Sequence, residues 1–391
     1  MLNEADIVVV GAGIMGLSIA YQLSKRTRKS ILVVDRSYLC GGASGRNGGG
    51  VRAQWSSDTN IELMQESIRM CRAFASEFKI NIWFRQGGYL FIVRDEDKRR
   101  SLESSVEKQV ALGLRSKMLS PTEARKVVPE LDIEGVVAAS HNPDDGVVFP
   151  WPFVWGFAQG AEKNGVKVAP FWDVENIETR GSKIESVVLR DLRAGARGAV
   201  HKVKTQLVIN AAGVWSPEIA RKIGVELPNK PHRHEICSTE PLKPWLTPLV
   251  ADLSDGLYFS QAMRGEIVGG IGQHYAPQGI DQNSSFDFLG KYSRSLTRAC
   301  PILGQVKVLR QWAGCYDLTP DGNPILGPVD EIENFYQASG FMGHGFMMAP
   351  VIGKLLAEEI LRPTGDGLFK QWNLRRYKEG KTLKGEAMII G

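Results

Sequence analysis

Two clusters of small and polar residues near the start of the chain have the spacing to hold a phosphorylated ligand. The first is Gly11-Ala12-Gly13-Ile14-Met15-Gly16, followed at the end of the next apolar run by an acid, Asp35. Glycines let the backbone approach a pyrophosphate, the N–H groups of a helix start favour negative charge, and an acid about 20 residues on accepts ribose hydroxyls. The Asp35 carboxylate would repel a 2′-phosphate, which argues against NADP and leaves NAD and FAD open. The second cluster is Gly41-Gly42-Ala43-Ser44-Gly45-Arg46-Asn47-Gly48-Gly49-Gly50. Ser44, Arg46 and Asn47 can donate hydrogen bonds to phosphate or to a polar ring, so this loop reads as wrapped around a ligand.

These clusters need elements to position them. Residues 6–10, DIVVV, are the short β-branched run of a buried parallel strand. Ile14, Leu17, Ile19, Ala20 and Leu23 then recur at helical spacing, and ILVVD makes a second strand ending at Asp35. Further helices are expected at Asp58–Phe78, Asp95–Leu112, Phe149–Asn164 and Gly345–Leu361, with a short one opened by SPTE. Gly87–Val93 reads as a strand. Residues 167–189 read as an antiparallel pair turning at Arg180-Gly181, and Lys204–Asn210 as a buried strand running into Ala211-Ala212-Gly213. Residues 226–320 read as strand-rich. Ligand-type turns thus lie at the start, middle and end of the chain. The nucleotide domain is expected to be discontinuous, over 1–82, 146–225 and 322–391, with a substrate domain over 83–145 and 226–321.

Composition excludes several classes. With 43% hydrophobic and 23% charged residues the 391-residue chain can build a large core, which disfavours disorder or a coiled coil. The net charge is only +5 and the basic residues are scattered, so nucleic acid is not an expected partner. The five cysteines show no CxxC spacing, and His232 and His234 share one face of a strand without a third ligand, so neither a disulfide framework nor a metal site is expected. No secretory signal or membrane-length apolar run is present, and the expected location is the cytoplasm, with attachment at the inner membrane face as the variant.

GAGIMG, GASGRNGGGVRAQW, VINAAGVWS, GCYDLTPDGNPILG and SGFMGHGFMMAP, taken in this order, resemble the FAD-dependent D-amino acid oxidase superfamily, specifically its sarcosine oxidase and dye-linked L-proline dehydrogenase β-subunit branch. The resemblance covers essentially the whole chain. It implies an α/β fold, α+β overall: a glutathione-reductase-type FAD-binding Rossmann domain with an inserted substrate domain on a mainly antiparallel sheet. It implies FAD held by Gly11, Gly13, Ile14, Met15 and Gly16 at the pyrophosphate and by Asp35 and Arg36 at the adenosine. Ser44, Arg46, Asn47 and Gly48 would follow the pyrophosphate and ring, Val174 the adenine, and Ala211 and Gly213 the nucleotide. Gly343, His344, Gly345 and Phe346 would lie at the ring's pyrimidine edge. Arg52 follows the glycine loop where the family binds a substrate carboxylate. Tyr258 and Tyr316 fall where the family lines its cavity, each with a core tyrosine as the alternative, and His344 could polarise the flavin, take a proton or bond backbone.

Three departures from the family pattern sharpen the expectation. Single-chain sarcosine oxidases bond the flavin through a cysteine whose place here is taken by Gly314, with Cys315 one residue late, so FAD is expected to be non-covalent. Their oxygen-activating lysine would fall near Gly269, yet no lysine occurs between Lys243 and Lys291. A dehydrogenase is therefore expected, passing electrons to a quinone, a dye or a partner subunit. Met347 stands where the oxidases carry a second carboxylate-binding lysine, and an apolar methionine suits L-proline or hydroxyproline. The expected activity is C–N oxidation of an imino or secondary-amine acid (EC 1.5), by hydride transfer to flavin N5. The alternatives are a glycine or D-amino acid oxidase or dehydrogenase, an NAD-linked dehydrogenase, and a flavoprotein subunit inactive without its partner. A hetero-oligomer with a smaller redox subunit, or a homodimer, is the expected assembly.

Overall fold

The computed structural model describes residues 2–272 and 279–389. The strands Ile7–Val10 and Ile31–Asp35 pair in parallel, and parallel pairing continues to Leu207–Asn210, Phe335–Ser339 and Lys167–Pro170; Ile325–Pro328 closes one edge antiparallel. Because side chains alternate along a strand, the run IVVV serves two cores. Ile7 and Val9 pack with Ile31 and Val33 against the helices Ile14–Ser24, Pro150–Lys163 and Gly345–Leu361. Val8 and Val10, with Leu32 and Val34, pack instead against a three-stranded antiparallel sheet, Trp172–Arg180, Lys183–Asp191 and Val200–Lys204. Burial on both faces is why Ile7–Val10 and residues 31–34 are apolar throughout. Gly11 makes the turn out of the first strand at φ +109°, where a Cβ would lie 2.4 Å from the Ala211 carbonyl oxygen.

A second, eight-stranded sheet runs in the order Val308–Leu318, Lys230–Pro241, Glu266–Gly270, Tyr258–Gln261, Leu249–Asp252, Tyr89–Val93, Ala138–Asn142, Lys117–Leu119. All its pairs are antiparallel except Tyr89–Val93 with Leu249–Asp252. The first sheet draws its strands from 7–35, 167–210 and 325–339, the second from 89–142 and 230–318. We use this interleaving as the basis for the proposed division into 1–82, 146–225 and 322–391 against 83–145 and 226–321. The α/β class with a mainly antiparallel second sheet is the one expected.

Two local readings need correction. Residues 226–320 are not all strand: Ser285 caps the helix Phe286–Ala299, whose Phe288, Tyr292, Leu296 and Ala299 are buried against the second sheet at helical spacing. Lys204–Asn210 is not one strand either, since Lys204 ends the three-stranded sheet and Leu207 begins its run in the parallel one. The short helix Pro121–Val127 has a full capping box, Ser120 with Glu123. All five cysteines are free and buried, and among the described residues no helix is long and apolar enough to cross a membrane.

Candidate active site

One cavity of about 530 Å³ joins the two sheets, a size within the range of ligand sites. At one end it is lined by the first glycine turn (Gly11, Gly13, Ile14, Met15), Asp35, Arg36, Val174, Ala211 and Gly213. Gly16 is not on the wall: its Cα faces back to the Gly11 carbonyl, 2.0 Å from where a Cβ would sit, so its smallness serves helix–strand packing. Burial pushes the Asp35 pKa up, while its two oxygens accept the Ala12 and Ser37 N–H groups at 2.7 Å each. Arg36 is held over the rim by Asp173 at 3.7 Å and Glu218 at 3.3 Å.

Mid-cavity, the glycine loop supplies Ser44, Arg46, Asn47 and Gly48. Ser44 Oγ accepts from Ile14 N at 3.0 Å and so ties the loop to the helix start. Much of the polar capacity expected to face a ligand organises the loop itself. Asn47 donates to the Ser44 carbonyl (2.8 Å) and accepts from Gly49 N (2.8 Å); Arg46 Nε donates to the Gly41 carbonyl (3.1 Å). Gly314 faces Arg46, with a Cβ there 3.3 Å from the arginine's own, and Cys315 Sγ donates to the Asp281 carbonyl at 3.3 Å. Burial pushes the Cys315 thiol up, away from the nucleophilic thiolate.

The far end is where both sheets meet. Gly343, His344, Gly345, Phe346 and Met347 open the helix Gly345–Leu361 there. Gly343 adopts φ +83°, and a Cβ would sit 2.6 Å from the Tyr316 ring. Facing this turn, His234 stacks on Tyr316 (4.7 Å between centroids, 15°) and on Tyr258 (5.7 Å, 18°), and its Nε2 lies 3.0 Å from Tyr258 Oη. Burial pushes His234 down to about 3 and raises both tyrosines, so these three stacked rings are uncharged. His344 is driven well below its ordinary value, first by burial and then by Arg52, and its ring meets Trp55 edge-on at 4.7 Å. A neutral His344 leaves the helix start, and not an imidazolium, as the source of positive potential at this turn.

Arg52 lies on this wall only 1% exposed, its Cζ 3.9 Å from the centre of the Trp55 ring. Its NH1 donates to the Gln54 carbonyl and its NH2 to the Met388 carbonyl. Among the described residues no carboxylate forms an ion pair with it, and burial lowers its pKa. A guanidinium has five N–H donors, so the two carbonyls leave capacity for an anion.

Sequence reasoning placed Arg52, Tyr258, Tyr316, His344 and Met347 on the same wall and missed His234, Tyr89, Ser260 and Gln282, which also line it. In the sequence His234 signals nothing beyond its spacing from His232, which bears only on metal binding. Among the described residues no cluster of three His, Cys, Asp or Glu could hold a metal ion. Near the place expected for the missing lysine, a Cβ at Gly269 would meet Tyr258 O at 2.2 Å, on the face away from the cavity, while Val268 lines it. Among the described residues the lining cations are Arg36, Arg46 and Arg52, with no lysine. A glycine-walled channel, a helix start at each end and a chamber of neutral aromatic rings with one buried arginine fit a dinucleotide that carries a flat redox ring.

The comparisons agree with that fit. The chain is 28% identical over 97% of its length to a Rhodobacter capsulatus protein, sarcosine oxidase subunit beta, covering 90% of it. It is 30% identical over 99% of its length to FAD-dependent oxidoreductase domain-containing protein 1 of Mus musculus, covering 86% of it. The solved structure of L-proline dehydrogenase from P. horikoshii superimposes with a TM-score of 0.91 and 32% identity, covering 98% of this chain and 100% of that one. Glycine oxidase from Bacillus cereus, with a TM-score of 0.82, 20% identity and coverage of 94% and 98%, shares the fold. The family described as FAD dependent oxidoreductase (DAO) matches residues 6–359, and the chain belongs to it.

Proposed function

We propose that this protein is an FAD-dependent dehydrogenase of a small imino or secondary-amine acid, L-proline, hydroxyproline or a sarcosine-like compound, with an electron acceptor other than oxygen and FAD held without a covalent bond. The observation that carries the reading is Arg52: a buried cation on the wall of the cavity with no acid paired to it among the described residues. Asp145 and Glu386 act on Arg52 electrostatically without forming an ion pair with it, and a substrate carboxylate would give this buried cation a directly bonded partner. The names of the P. horikoshii and Rhodobacter proteins support the same substrate class.

Bound FAD supplies a two-electron acceptor for the hydride of the substrate C–H bond. The chain's part is to bind and orient. Arg52 fixes the carboxylate, Met347 and Tyr89 offer apolar surface to a ring, and the stacked Tyr258, His234 and Tyr316 close the chamber without charge. Neutral rings beside a buried Arg52 cation favour the neutral amine over the ammonium, and the neutral amine is the form whose lone pair can assist departure of hydride. The absence of lysine from the lining among the described residues supports slow reaction with oxygen. A second reading, a subunit that needs a smaller redox partner, is favoured by relatives named as β subunits. Anaerobic mixing of the FAD-loaded protein with L-proline, hydroxyproline, sarcosine, glycine and D-amino acids, followed by visible flavin absorbance, tests the proposal. Bleaching by a secondary-amine acid is expected; bleaching only by glycine or a D-amino acid would overturn the substrate class, and none by any of them would favour the partner-dependent reading.

A further inference from the structure

Arg52 is held by a segment far away in the sequence. Its NH2 donates to the carbonyl of Met388, a residue 336 positions on. Met388 is 1% exposed, packed with Tyr89 and Phe91 beneath the second sheet, and its sulfur accepts from Gln109 Nε2 at 3.4 Å. The same amide of Gln109 donates to the carbonyl of Trp55, the residue whose ring lies under the Arg52 guanidinium.

Two residues earlier, Glu386 is anchored to the start of the helix Asp58–Phe78. Its carboxylate accepts from Ser56 N (2.6 Å), Ser57 N (3.2 Å), Ser57 Oγ (3.1 Å), Asn60 Nδ2 (3.1 Å) and Ser56 Oγ. Ala387 N donates back to Ser56 Oγ at 2.9 Å. An acid at a helix N-terminus is favoured by the free N–H groups there. The result is a strap of three residues: one end pinned to the helix that follows Arg52, the other presenting a carbonyl to the guanidinium.

The strap also sets where Arg52 can point. Gln54 O and Met388 O receive donors from the two terminal nitrogens, while Trp55 and Phe91 flank the plane, with Cζ 3.9 Å and 5.4 Å from their ring centres. Both terminal nitrogens are thus tied to backbone carbonyls while Arg52 lines the cavity. Without Met388 O an arginine of several rotatable bonds would regain alternative rotamers, and its fork would no longer be preorganised for a carboxylate.

We propose that Glu386–Met388 is a positioning element for Arg52, so that the carboxylate site is incomplete without this strap; the inference rests on the assignment of Arg52 to the substrate carboxylate. The test uses the FAD-loaded full chain and L-tetrahydro-2-furoate, a ring carboxylate without an amine, with binding read from the perturbation of the flavin spectrum. Removing residues 386–391 should leave FAD bound and weaken this carboxylate by about tenfold to a hundredfold, the scale of a mispositioned group. Met388→Leu should keep wild-type affinity, because the backbone carbonyl makes the contact. Glu386→Gln, which loses an anionic anchor while keeping the fold and chain length, should weaken binding in the same direction and serves as the measurement if the shortened chain does not fold. Arg52→Met separates the two ideas. If it weakens the carboxylate while the shortened chain and Glu386→Gln bind like the wild type, the strap proposal is overturned alone; if Arg52→Met itself changes nothing, the substrate-site reading fails.

Discussion

At the residue scale, the chemistry turns on burying charge and then leaving it a partner to find. Charge-assisted hydrogen bonds are worth about 1.5–3 kcal/mol, so Arg52→Met should raise KM for a carboxylate substrate by roughly tenfold to a hundredfold while the flavin spectrum and FAD content stay as in the wild type. Steady-state kinetics with a dye acceptor gives the answer, and an unchanged KM would remove Arg52 from the substrate site. His234 makes a pH prediction. Burial lowers its folded-state value to about 3 from an ordinary 6.5, so the unfolded chain binds the extra proton between those values. The stability contributed by neutral His234 is therefore present above pH 6.5 and lost as pH falls toward 3. His234→Gln should show a shallower fall in Tm over that window than the wild type. A parallel fall in both proteins would mean that His234 is not held neutral by burial. Asp145 and Asp317, which burial pushes up to about 7, work in the opposite sense, stabilising at low pH and losing that contribution as pH rises through 7.

At the element scale, each cofactor-side feature is a strand end passed to a helix start. Ile7–Val10 delivers the turn at Gly11, Leu207–Asn210 delivers Ala211, and Phe335–Ser339 leads into the turn before Gly345. Parallel strands side by side place these three ends at one edge of the sheet, where ligands of open α/β sheets bind. Gly11→Ala would need a positive φ and would drive its Cβ into the Ala211 carbonyl, 2.4 Å away. The left-handed region alone costs a side-chain-bearing residue about 1–2 kcal/mol. We expect this variant to purify with little or no FAD and a lower Tm, and full flavin content by the ratio of visible to ultraviolet absorbance would contradict the close approach described for this turn.

At the scale of the molecule, one cavity spans both sheets, so cofactor and fold should stabilise each other. Stripping FAD should lower Tm, and re-adding it at about a thousandfold over Kd should restore roughly 4 kcal/mol; a Tm indifferent to FAD would contradict the shared cavity. The lining also makes a claim about electron acceptors. With no lysine lining the cavity among the described residues, aerobic turnover should be slow beside turnover with a dye or quinone. Fast production of stoichiometric hydrogen peroxide would overturn the dehydrogenase assignment.

Local periodicity and turn chemistry settled much of this protein from the sequence alone. The apolar strands, the glycine turn, the acid at Asp35 and the helix Asp58–Phe78 are set by interactions between residues close in the chain, and their types and spacing show it. The helix Phe286–Ala299 was legible in its Phe288, Tyr292 and Leu296 spacing, but its surroundings of short strands obscured it. Other features had no local signal. His234 reaches the cavity because its strand pairs with Val308–Leu318, which brings it over Tyr316, and Tyr258 comes from a third strand of the same sheet. The side of the strand on which Val268 and Gly269 face depended on register, which a one-residue slip inverts. The partner of Arg52 was decided only by tertiary structure, because the Met388 carbonyl is a backbone atom that any residue could supply and that reaches the guanidinium only when the chain's last turns cross under the second sheet.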